Sequence, residues 1–201
     1  MRKAATSEPT NGTGPSLRAS VLGFLGELWL VPPCAAHLAG LACLGELVPD
    51  QGAALLIRAQ ELESLVQAWH HHLRIPGPAN LLPYETSHLP AGVPLRGPAR
   101  LAQVAGLYKA AGFELEPFTQ YPADHLGHEL RFLAALAARR EAASPEAARN
   151  LETWERGFLR DHLGVWVHGF CEAAAARGAH PYLLALACLS ARLPWELAGV
   201  G

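Results

Sequence analysis

Asp124, His125, His128 and Glu129 crowd into six positions of the stretch YPADHLGHELRFLAAL (121–136). Leu126, Leu130, Leu133 and Ala137 recur there at i, i+4, i+7 and i+11, the spacing of a helix with one face toward a core. On such a helix His125 lies one turn from Glu129 and Asp124 one turn from His128, so four polar groups share about one and a half turns. Two readings stay open. The cluster can bind a ligand, and between facing helices of a bundle it could hold a metal, although the second Glu-x-x-His helix that di-metal bundles use is missing. Alternatively, Asp124 caps a helix that Pro122 opens, close to the positive end of its dipole, and the other polar groups form a solvated face.

Other residues capable of chemistry are scattered. His70, His71 and His72 are consecutive on a helix, so their side chains diverge by about 100° each and cannot converge on one ion. Tyr84 and Glu85 place an aromatic beside a carboxylate in the middle of a proline-rich segment, LRIPGPANLLPYETSHLPAGVPLRGP, whose length marks it as a functional loop. No Gly-x-Ser-x-Gly elbow, HExxH or phosphate-binding glycine loop occurs, and Lys109 is the single lysine beyond the N-terminal tail. Cys34, Cys43, Cys171 and Cys188 lack C-x-x-C spacing and read as reduced, buried small hydrophobes.

The elements that must position these groups are helices. The 201 residues are 50% hydrophobic, rich in Ala and Leu and poor in β-branched runs, which predicts an all-α fold in one domain. Lys and Arg (16) nearly balance Asp and Glu (18) without a basic stripe, which argues against a nucleic-acid partner. Neither a signal peptide nor a membrane span is evident, and residues 1–15 read as a disordered tail before a domain over 16–201. Ser16 caps a predicted helix to Leu30, stopped by Pro32 and Pro33; others run over Ala35–Leu47, Gln51–His72 and Ala99–Ala111. The segment FELEPFTQ then links to the central helix and could hinge two lobes. Ser144 caps a helix reaching Ala176, broken near Leu159, and a last, all-round apolar helix covers Tyr182–Leu193. The total is a bundle-like domain of about eight to ten helices. Asp161-His162-Leu163-Gly164 repeats the letters of Asp124-His125-Leu126-Gly127, but no longer period supports an internal repeat.

Read in order, several phrases resemble the TorD/DmsD/NarJ family of chaperones for molybdenum-containing redox enzymes. ELESLVQAWHHHLRIPGP is similar to that family's helix and loop ending in Gly-Pro, and NLLPYETSHL to its Pro-Pro-Tyr-Glu-Ser segment. VAGLYKAAGFEL, YPADHLGHELRFLAAL and FLRDHLGVW resemble its Tyr-x-x-x-Gly, Pro-x-Asp-His-Leu-x-x-Glu-Leu and His-Leu-x-x-Trp stretches. The resemblance spans about Leu17 to Leu193. Arg74 and Ile75 depart from the usual aromatic-first loop entry, Arg131 from a common acidic residue and Leu133 from Met.

The resemblance implies a cytoplasmic chaperone without catalytic activity or cofactor. Its implied partner is an apo-molybdoenzyme catalytic subunit, whose twin-arginine signal peptide it binds until cofactor insertion is complete. Asp124, His125, Glu129, Tyr84 and Glu85 are the positions carried over, and the chain is expected as a monomer or a domain-exchanged dimer. Two guanidinium groups followed by an apolar segment need exposed carboxylates beside an apolar groove. Asp124, Glu129 and Glu85 are expected to supply the first, and Trp69, Leu73, Tyr84 and Phe118 the second. Rival expectations are a NarJ-type assembly factor for a non-exported subunit, a helical metal- or haem-binding enzyme, and a structural subunit of a redox complex.

Overall fold

In the computed structural model, which describes residues 16–47, 61–117 and 119–199, the chain is a single all-helical domain. Phe118, the tail at 1–15 and positions 51–60 of the helix expected from Gln51 lie outside the described residues. The helices are α1 (Leu17–Leu30), α2 (Ala35–Leu47), α3 (Leu62–Leu73), α4 (Glu85–His88) and α5 (Gly97–Ala110). They continue with α6 (Leu126–Glu141), α7 (Pro145–Phe158), α8 (Gly164–Ala176) and α9 (Pro181–Ala198). A π-helical turn, Leu159–Leu163, joins α7 to α8 at the break the sequence predicts. Ser16 and Ser144 cap α1 and α7 as expected, accepting from the N–H groups of Ala19 and Ala147.

The leucine stripe of α6 is buried throughout, and α6 lies along α1. Their contact is close because glycines meet there: a Cβ on Gly127 would stand 2.6 Å from Leu30 Cγ and 2.7 Å from the Gly26 carbonyl oxygen. α1 also touches α9, where the Trp29 indole N–H donates to Ser190 Oγ at 3.0 Å. The first and last described helices thus share one core with the central one, and the 113–120 link does not divide the chain into two lobes. A second aromatic cluster, Tyr108, Phe113, Phe132 and Phe158, fills the space between α5, α6 and α7.

Three local expectations are corrected. The central helix begins at Leu126, not Pro122, and its N-cap is His125, whose Nδ1 accepts from Gly127 N–H at 3.1 Å. The last helix runs past Pro194 to Ala198 and ends at the left-handed Gly199. Burial of Leu193 and Pro194 offsets the amide donor that proline removes. The cysteines are not core residues: Cys34, Cys43 and Cys188 are exposed and Cys171 half-buried.

Candidate functional site

Four residues of the proline-rich loop, Glu85–His88, form the short α4, and Tyr84 just before it pairs with His125 in an isolated antiparallel bridge. Glu85 N–H donates to Asp124 O at 3.0 Å and Leu126 N–H to Pro83 O at 2.9 Å. Asp124 caps this short helix rather than α6: its Oδ2 accepts from Thr86 Oγ1 at 2.6 Å and Thr86 N–H at 3.1 Å. The loop is therefore pinned to the start of the central helix by backbone and side chain together.

Glu85 points inward from that junction and is 0% exposed. Its Oε1 accepts from Arg100 Nε at 2.9 Å and also from Arg100 Nη2, while Oε2 lies 3.2 Å from His162 Nδ1. Arg100 further donates to Gln103 Oε1 at 2.9 Å and to the carbonyl of Asp161 within the π-turn. The two Asp-His-Leu-Gly phrases thus converge on one dipeptide: His125 bridges Tyr84 and His162 meets Glu85. Arg100, Thr86 and the role of His162 were not singled out from the sequence; the repeated phrase was the available signal.

This geometry corrects the expectation of exposed carboxylates at Asp124, Glu129 and Glu85, which are 1%, 0% and 0% exposed. Glu129 accepts from the Trp166 indole N–H at 3.2 Å, and its Oε1 has no partner. Burial, reinforced by the nearby Glu85 carboxylate, holds the Glu129 carboxyl well above the usual range. Tyr84 is half-buried in an edge-to-face contact with His125, and Leu73 packs on the core. No group of three or more His, Cys, Asp or Glu among the described residues is arranged to hold a metal.

Burial also pushes the His125 ring down to about 3 and the His128 ring to about 4, the latter helped by the neighbouring Arg131. Both are neutral when folded. Below pH ~6.5 the unfolded chain takes up protons that these rings refuse, so they draw stability down as pH falls toward 4, each by about 1.4 kcal/mol per pH unit. Glu129 acts in the opposite sense, because the folded state holds its proton to higher pH. Four rings, with His88 and His180 also shifted down, stand against two raised carboxyls, Glu129 and Glu155. Melting temperature is expected to fall between pH 6.5 and 4.5, less steeply in His125→Asn, which keeps a capping acceptor without the titration; equal slopes in the two proteins would refute this.

The open surface lies on the other side of this junction. A cleft of about 770 Å³ is bounded by α1 (Glu27, Leu30) with Val31 just beyond it, by α3 (Trp69, His70) with Arg74, and by Glu116, Thr119, Gln120, Tyr121, His128 and Arg131. Of the expected apolar residues it takes in Trp69, whose indole N–H donates to Leu28 O at 3.3 Å; Leu73 and Tyr84 do not line it. Its carboxylates are Glu27 and Glu116, with side chains 57% and 70% exposed. Glu27 lies 3.2 Å from His37 Nε2, and Glu116 accepts from Arg131 at 2.9 Å. Arg74 donates to Tyr121 Oη and Gln120 Oε1 and sits 5.7 Å above the Tyr121 ring. Glu27 and Glu116 carry no motif, and only the folded cleft brings them into one site.

Among curated proteins none matches the chain. A solved structure of a candidate redox enzyme maturation protein from Archaeoglobus fulgidus is similar at 17% identity with a TM-score of 0.48, covering 88% of this chain and 99% of that one. The family described as nitrate reductase delta subunit matches residues 42–172, more than half of the chain and including the pinned loop, the central helix and the π-turn. The chain therefore belongs to the nitrate reductase delta subunit family, whose NarJ/TorD-type members are redox-enzyme maturation chaperones and not catalysts.

Proposed function

We propose that this maturation chaperone works in the cytoplasm by binding the N-terminal twin-arginine peptide of an apo-molybdoenzyme catalytic subunit in the 770 Å³ cleft. The observation that carries the reading is the pair of exposed carboxylates, Glu27 and Glu116, lining one cleft with Leu30, Val31 and Trp69. Carboxylates bind guanidinium groups by charge-assisted hydrogen bonds, and the apolar floor suits the segment that follows them. Asp124, His125, Glu129, Tyr84 and Glu85 act here as the buried frame that fixes the cleft's far wall, not as contacts. Glu116 already holds Arg131, so an incoming arginine displaces an internal one, which favours reversible capture over permanent association.

A fluorescent twin-arginine leader peptide tests this directly. Glu27→Gln with Glu116→Gln is expected to weaken its binding about tenfold or more, with melting temperature and helical CD signal unchanged. Unaltered affinity would remove the cleft from consideration. The name of the matched family favours a second reading, in which the client is a nitrate-reductase-type subunit without a leader. Tagged chain recovered from its native host then brings down a leaderless subunit, and the leader peptide fails to bind even the unmodified protein.

A further inference from the structure

Helices α8 and α9 form an antiparallel hairpin through the turn at Arg177–His180, where Gly178 has φ +65°. Residues equidistant from such a turn face each other, and Cys171 lies eight residues before Ala179 as Cys188 lies eight after His180. Their sulfurs are 2.7 Å apart, inside the sum of two sulfur van der Waals radii, although both are free thiols. Cys188 is exposed and Cys171 half-buried, so a small oxidant reaches the pair from solvent. Neither thiol takes part in the cleft or in the buried frame around Glu85.

We propose that Cys171 and Cys188 are a reversible dithiol–disulfide site that closes under oxidising conditions and staples α8 to α9. The oxidant class is a small-molecule disulfide of the glutathione type. The Cys188 thiolate, its proton released to water, attacks one sulfur of that disulfide, forming a mixed disulfide and expelling one small thiolate. Cys171, deprotonated in turn, attacks Cys188 Sγ; the protein S–S bond forms and the second small thiolate leaves. Two protein thiols are oxidised and one small disulfide is reduced to two thiols. Cys188 is the exposed member of the pair, which assigns it the first attack; burial and the adjacent Cys188 sulfur raise the Cys171 thiol, in keeping with its later step.

The staple bears on the cleft through its supports. α9 carries Ser190, which holds Trp29 of α1, and the His180 N–H before it donates to His72 Nε2 of α3 at 3.3 Å. Both cleft walls therefore rest on the helix that oxidation would tie down. The exposed Cys34 and Cys43 serve as internal controls.

The full chain is equilibrated with oxidised and reduced glutathione mixtures, quenched with an alkylating reagent, and mapped by peptide mass spectrometry. The expected result is a Cys171–Cys188 crosslinked peptide in oxidising mixtures, reversed by reductant, with Cys34 and Cys43 still alkylated. The oxidised protein is expected to melt roughly 5 °C higher than the reduced one, a difference absent in Cys188→Ser. Stable glutathione adducts on Cys188 with Cys171 still free, or a crosslink using Cys34 or Cys43 instead, overturns the proposal.

Discussion

Replacing Glu85 by alanine is expected to destabilise the fold by about 3–5 kcal/mol, the cost of leaving one member of a buried ion pair uncompensated. Arg100 would keep its charge in the interior with only Gln103 and the Asp161 carbonyl as acceptors, and His162 Nδ1 would lose its carboxylate partner. For a chain of this length that corresponds to a melting temperature lower by about 10 °C. The double variant Glu85→Leu with Arg100→Leu is expected to recover much of the loss, since removing both charges also removes the desolvation penalty. Urea unfolding of the three proteins at neutral pH decides the matter. A Glu85→Ala unfolding free energy within about 1 kcal/mol of the parent would mean that water reaches Arg100 and that the junction is not sealed.

Gly127→Ala should destabilise by about 3 kcal/mol even though alanine is the better helix former by about 1 kcal/mol. The sign of the effect is therefore diagnostic. The new methyl would meet Leu30 Cγ at 2.6 Å and the Gly26 carbonyl at 2.7 Å, and the second of these is backbone that cannot rotate away. α1 must shift, and Glu27, Leu30 and Val31 shift with it, so leader-peptide binding is expected to weaken alongside stability. Gly106→Ala is the control: it also lies within a helix, but nothing stands within 4 Å of its Cβ position, and a gain of up to about 1 kcal/mol is expected. A Gly127→Ala protein as stable as the parent would show that α1 and α6 sit farther apart than the structure has them.

What the sequence made legible was local and periodic. The Leu126, Leu130, Leu133 and Ala137 stripe, the Ser16 and Ser144 caps and the break at Leu159 each depend on neighbours a few residues away. The misreadings share the opposite property. Asp124 has the form of an ordinary helix cap, yet its acceptor oxygen is claimed by Thr86, 38 residues earlier in the chain. Glu85 looked like an exposed loop carboxylate because its partners, Arg100 and His162, lie 15 and 77 residues away. Cys188 sits on a helix apolar on nearly every side, where periodicity cannot tell the solvent strip from the core. The cleft's carboxylates come from α1 and from the link before α6, so no motif could have joined Glu27 to Glu116.

The Trp29–Ser190 hydrogen bond spans 161 residues. A ribosome adding 5–20 residues per second needs about 10 to 30 s to make that stretch. Through this interval α1 has been synthesised but lacks α9, and before Leu126 emerges it lacks α6 as well. Its face of Leu22, Leu25, Leu28 and Trp29, wholly buried in the finished domain, must then be shielded by transient contacts or by another protein. A nascent chaperone of this architecture spends its first seconds as a client.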